Sequence, residues 1–172
     1  RGLLGEKIAQ VSLASKVLLE AAAVLAPPIY AEDLAVVGGV TLEEAQDGLT
    51  ELCRQQVLNV GEVSQHASFL FATRSLRRVV YEDLSTHTKQ ALHDRASTLA
   101  SLQSHTSAAY RQRLEHVFRG SDEHKAINAA IEAGNRAADV YAYKKAIEYF
   151  ARAYSRMVAP NAPKASYIAA QL

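Results

Sequence analysis

The chain has 172 residues, 49% of them hydrophobic and 22% charged, with a formal net charge of +1. That balance suits one good apolar core, or a small domain with a helical extension, and offers no strong overall attraction for nucleic acid or anionic lipid. A single cysteine, Cys53, excludes an internal disulfide framework and fits a reducing, cytoplasmic compartment.

The longest apolar run, Val17 to Ile29, contains Glu20 and includes a proline pair, so it is too interrupted to span a bilayer. No signal-peptide pattern opens the chain. The sole methionine is Met157, and the last residues up to Leu172 read as a new helix; the expectation is a piece of a larger protein.

Arg1 to Gln10 form an ambiguous lead-in. From Ser12, the residues Leu13, Val17, Ala21, Val24 and Leu25 predict a helical stripe, which Pro27-Pro28 ends. A short helix over Ala31 to Val37 is stopped by Gly38-Gly39. Thr41-Leu-Glu-Glu44 is a capping box, and the helix it starts should turn Leu42, Ala45, Leu49 and Leu52 inward. Val57 to Val60 and Ser68 to Phe71 then read as two strands joined by a polar loop from Gly61 to Ala67.

At Phe69 to Leu84 the period changes from two to that of a helix. Phe69 and Phe71 point one way and Leu70 the other; beyond Thr73, Leu76, Val79, Val80 and Leu84 share one face. Arg74, Arg77, Arg78 and Tyr81 share another and make a candidate docking face. Three helices followed by a hairpin is the order of a winged helix, expected over residues 1–84 of a mainly α fold.

Residues 85–172 predict a helical arm. Ser85 is the N-cap of a helix with Leu92, Ala96 and Leu99 inside; Tyr110, Leu114, Val117 and Phe118 mark the next, closed by Gly120. Ser121-Asp-Glu starts a helix carrying Ile127, Ala130, Ile131 and Gly134, and a final full helix carries Ala146, Ile147, Phe150, Ala153 and Tyr154, before Pro160 and Pro163. Gly134, Tyr143, Ala146, Phe150 and Ala153 stand at the spacing of small and aromatic positions in a tetratricopeptide (TPR) repeat, which this pair of helices resembles. In that motif Asn128, Asn135 and Asp139 would face a concave groove for a protein or peptide partner, and further repeats would follow Leu172.

Taken in order, Leu18-Leu-Glu-Ala-Ala-Ala-Val-Leu25, the Leu49/Leu52 helix, Phe69-x-Phe71, Val79-Val-Tyr-Glu82, Leu92-His93 and Ala146-Ile-Glu-Tyr-Phe150 resemble one segment of large bacterial STAND-type ATPase regulators. These include the long LuxR-type transcriptional activators and the cyclase- or kinase-linked ATPases. The resemblance covers roughly Val11 to Tyr154 and departs at Thr73, where the family usually carries a histidine. It implies a regulatory arm that couples an ATPase domain of the parent protein to a sensor array. A free-standing TPR-type adaptor and a DNA-binding winged-helix regulator are the alternatives.

The capping-box helix exposes Glu43, Glu44, Asp47 and Glu51 against Arg54, and the hairpin loop offers Glu62, Gln65 and His66 with no lysine or arginine, so this surface should repel duplex DNA. The arginine face, with Arg111, Arg113 and Arg119 further on, should meet solvent, dock an acidic surface of the ATPase domain or contact the acidic helix of this chain, with nucleic acid as a further alternative. The six histidines lack metal-ligand spacing, and no phosphate-binding glycine motif or activated nucleophile occurs. No catalytic residue, cofactor or metal is expected. His93 should cap or pack, Cys53 should be a small core residue, and Tyr141, Tyr143, Tyr149 and Tyr154 should pack between helices or line a groove for a ligand or peptide.

Overall fold

The computed structural model of the chain describes residues 11–63, 66–103 and 107–158. The lead-in to Gln10, the hairpin residue Gln65, Pro160, Pro163 and the helix expected from Ala165 lie outside them. The described residues form eight helices and one two-stranded antiparallel sheet. In chain order these are α1 (Leu13–Val24), α2 (Ala31–Gly38), α3 (Leu42–Arg54), β1 (Leu58–Val63), β2 (His66–Phe71), α4 (Arg74–Asp83), α5 (Thr86–Gln103), α6 (Ser107–Arg119), α7 (Glu123–Asp139) and α8 (Tyr143–Met157).

Local chemistry sets most of the boundaries. Ser12 caps α1, its hydroxyl accepting from Ser15 N at 3.2 Å. Gly39 takes the left-handed φ of 72° that closes α2. The Thr41–Glu44 capping box forms in both directions: Glu44 accepts from Thr41 N at 2.8 Å, and Thr41 Oγ1 accepts from Glu44 N at 3.2 Å. Thr73, the residue that departs from the resembled family, is the N-cap of α4 and accepts from Leu76 N at 3.1 Å. Its hydroxyl satisfies a helix-end donor that a histidine side chain would satisfy less well.

Several expectations need correction. Leu13 is 82% exposed and Leu42 also faces out; the inward side of α1 is Ser15, Leu18, Leu19, Ala21 and Ala22. The start of α1 is seated, with Val11 packed against the core and Ser15 buried, and Leu13 lies on its outward side. The loop expected from Gly61 to Ala67 is shorter, because the pairing runs from Leu58↔Phe71 out to Val63↔His66. Alternation was hidden there by polar residues, yet the backbone ladder does not need apolar side chains to continue. Ile29, just before α2, adds a third extended partner: Phe69 N donates to Ile29 O at 2.7 Å and Ile29 N to Phe69 O at 3.3 Å.

Two apolar clusters result. The first runs from Leu18 through Phe71 and α4 to Leu92, Ala96 and Leu99 on α5; the second holds Leu114, Val117, Phe118, Ala126, Ala130, Ala133 and Ala153. The division between them falls beyond Leu99, whereas the pattern suggested a boundary at Leu84. The reason is that Leu92, Ala96 and Leu99 on α5 join the core built by α1 and α2, while α5 also packs along α6.

Polar contacts also join the two clusters. Asp94 on α5 accepts from Ser121 N at 3.1 Å and from Ser121 Oγ at 2.7 Å, and Lys125 Nζ donates to Ser97 Oγ at 3.0 Å. The buried His93 and His116 meet in the same seam.

Helix C-termini are closed by arginines from elsewhere in the chain. Arg77 donates to Ala23 O at 3.0 Å and Leu25 O at 2.9 Å, at the end of α1. Arg95 donates to Val37 O at 3.1 Å and Gly38 O at 3.2 Å, at the end of α2. Arg156 donates to Phe118 O at 2.6 Å, at the end of α6, and to Glu123 at 2.5 Å. Each guanidinium satisfies carbonyls that have no intrahelical partner and complements the negative end of a helix dipole.

In the last pair of helices, a Cβ on Gly134 would lie 2.5–2.8 Å from ring atoms of Phe150, so the glycine makes room for that ring. The outward side of α8 carries Tyr143, Ile147 and Tyr154, all exposed.

Candidate functional site

The turn from β2 into α4 presents a groove of about 620 Å³ between the end of α1, the hairpin and α6. Its floor is apolar, made by Ala23, Val24, Pro27, Leu70 and Phe71. Its walls are Arg74, Arg77, Arg78, Tyr81 and Arg119, and no carboxylate lines it. Every residue of the expected docking face therefore meets in one concavity, joined by Arg119 from the far end of α6.

The four arginines are not equivalent. Arg77 is half-buried and holds the two carbonyls of α1, so its charge is fixed in the wall; burial lowers its pKa, with Arg119 adding to that. Its position on a charged helix face suggested solvent, but its side chain turns inward. Arg78 lies 3.9 Å from Glu82 and Arg119 3.4 Å from Glu115; both are exposed i,i+4 pairs of the kind that exchange partners at little cost. Arg74 is exposed, with no ion pair among the described residues.

Tyr81 links the groove to the seam. Its hydroxyl is 3.0 Å from His93 Nε2, and His93 Nδ1 is 2.9 Å from His116 Nδ1. One proton lies in each contact, so the chain has two consistent orders. Tyr81 O–H donates to His93, which donates to His116, or every donor is reversed. Both histidines are held down to about 4, first by burial. His116 and Arg119 lower His93 further while Asp94 opposes them; Arg119 and Arg77 lower His116 while Glu115 opposes them. Protonating both rings would set N–H against N–H across the short contact. His93 thus packs as expected, whereas His116, 23 positions away, gave no local sign of pairing.

Other expected residues are scattered. Asn128 lines a separate cleft of about 360 Å³ with Tyr110, Arg113 and Lys125; Asn135 and Asp139 are exposed on α7 and line no part of it. Tyr141, Tyr143 and Tyr154 are exposed rather than packed between helices, and Tyr149 is half-buried. Glu51, expected on the acidic surface, instead folds back onto the start of α1. It accepts from Ser12 N at 3.0 Å, Ser12 Oγ at 2.6 Å and Ser15 Oγ at 2.5 Å, which hold its carboxyl at about 2. Cys53 is half-buried, and burial raises its thiol pKa. Among the described residues no group of three or more His, Cys, Asp or Glu is placed to hold a metal ion, and no helix is long and apolar enough to cross a membrane.

Comparison with protein-family models, with curated proteins and with solved structures found no match.

Proposed function

We propose that this segment is the non-catalytic coupling arm of a multidomain, cytoplasmic STAND-type ATPase regulator, working through interdomain and protein–protein contacts. The winged-helix-like part is the run α1 to α4, and the strand pairing at Ile29 favours that reading because it ties α1 and α2 to the hairpin as one body. The TPR-like part is α7 and α8, for which the seat of Phe150 against Gly134 argues. The open apolar side of α8 is what a repeat leaves for its next neighbour.

The observation that carries the proposal is the double role of Tyr81. It lines the groove, and it begins the hydrogen-bonded chain through His93 to His116, whose neighbours Val117 and Phe118 belong to the second core. A partner seated in the groove would touch the residue that reaches the arm. Duplex DNA is disfavoured, since Glu43, Glu44 and Asp47 remain exposed on α3.

The test is to mix this protein with the separately produced ATPase domain of its parent. Binding in calorimetry with a change in ATP hydrolysis is expected. Neither binding nor a change in hydrolysis would overturn the assignment.

A further inference from the structure

We infer that the arginine-walled groove is a docking site for a short acidic peptide segment of a partner protein, in which carboxylates flank an apolar side chain. This deepens the docking role proposed for α4 but does not depend on the parent being an ATPase. Charge and shape together select such an occupant. Arg74, Arg77, Arg78 and Arg119 surround the groove with no carboxylate in its lining, while Leu70 and Phe71 give it an apolar floor.

A guanidinium binds a carboxylate with two parallel N–H···O bonds, so arginines along a wall suit acidic side chains spaced along a chain. The apolar floor has no use to a phosphate backbone but would bury a leucine or phenylalanine. Arg77 is held rigidly by the α1 carbonyls at 2.9 and 3.0 Å, so one cation is in position before any partner arrives. Arg78 and Arg119 hold exposed carboxylates of their own helices, at 3.9 and 3.4 Å, and can exchange them for those of a peptide.

The occupant therefore contributes both halves of the recognition. Carboxylates set the approach and the salt dependence, and the apolar side chain sets the residence time.

The experiment uses the intact protein and three fluorescent probes: an acidic peptide with a central Leu-Phe pair, the same peptide with Ser-Ser there, and a duplex oligonucleotide. The Leu-Phe peptide should bind at low salt. Its affinity should fall about fivefold or more when salt is raised to physiological strength, and about tenfold when Ser-Ser replaces the apolar pair.

The double variant Arg74→Glu/Arg78→Glu should weaken the Leu-Phe peptide by about tenfold or more. Both positions are exposed, so the variant should keep the unfolding midpoint of the parent chain, which is read in parallel. Equal binding of the two peptides, equal binding to the variant, or tighter binding of the duplex would overturn the inference. So would self-association abolished by the same variant, because the groove would then take a second copy.

Discussion

Lowering the pH should weaken this protein through one buried contact, between His93 and His116. His93 and His116 have an ordinary value of 6.5 and folded values of about 4. The folded state therefore holds both rings neutral while the unfolded chain takes up protons below about 6.5. The stability these rings contribute is complete above that value, declines as pH falls, and is gone once pH has passed below about 4.

At about pH 5 the loss is roughly 2 kcal/mol for one ring and at most twice that for the pair. Glu44 and Glu51 are held below the ordinary carboxylate value by their hydrogen bonds to Thr41 and to Ser12 and Ser15, so they stay ionised in this window. Urea unfolding at about pH 7.5 and 5 measures the difference. The variant Tyr81→Phe/His93→Leu/His116→Leu removes all three partners together, which leaves no orphaned polar atom in the seam. It should lose much less than the parent chain over the same interval. An equal loss in both proteins would refute the assignment of the acid sensitivity to this pair.

Two other perturbations probe the ties that hold the fold. Arg95→Ala leaves the Val37 and Gly38 carbonyls without their donor and should cost about 1–2 kcal/mol in urea unfolding, with Arg95→Lys in between; an unchanged midpoint would count against the tie. Gly134→Ala should be destabilising in the parent chain, because its methyl would meet the Phe150 ring, yet stabilising by up to about 1 kcal/mol once Phe150→Ala has removed the ring. A gain in the parent chain itself would show that the ring simply moves away.

What could be read from sequence and what could not divides by the distance over which each feature is encoded. The capping box at Thr41, the stop at Gly39 and the alternation through Phe69 to Phe71 are local, and each appears in the structure. The helical periods were legible too, but not what each stripe packs on. Leu92, Ala96 and Leu99 have the same spacing whether α5 lies on the first core or starts the second. Arg77 and Glu51 misled in the same way. Both sit among like charges on a helix surface, and both bond groups that are respectively 52–54 and 36–39 residues away. The groove was half legible: Arg74, Arg77, Arg78 and Tyr81 share a face, but Pro27, Leu70 and Arg119 join them only through the fold.

The arginine ties also bear on how the chain can be made and cut. A protein emerging N-terminus first completes α1 and α2 long before Arg77 and Arg95 are synthesised, so the last turns of both helices wait with open carbonyls. Ending the chain at Leu84 would supply the tie for α1 and withhold the one for α2, since Arg95 lies on α5. Ending it before Arg156 would likewise leave the end of α6 without its donor. The shortest fragment that closes its own helix ends in the first half runs to the end of α5, and the shortest that closes α6 includes α8.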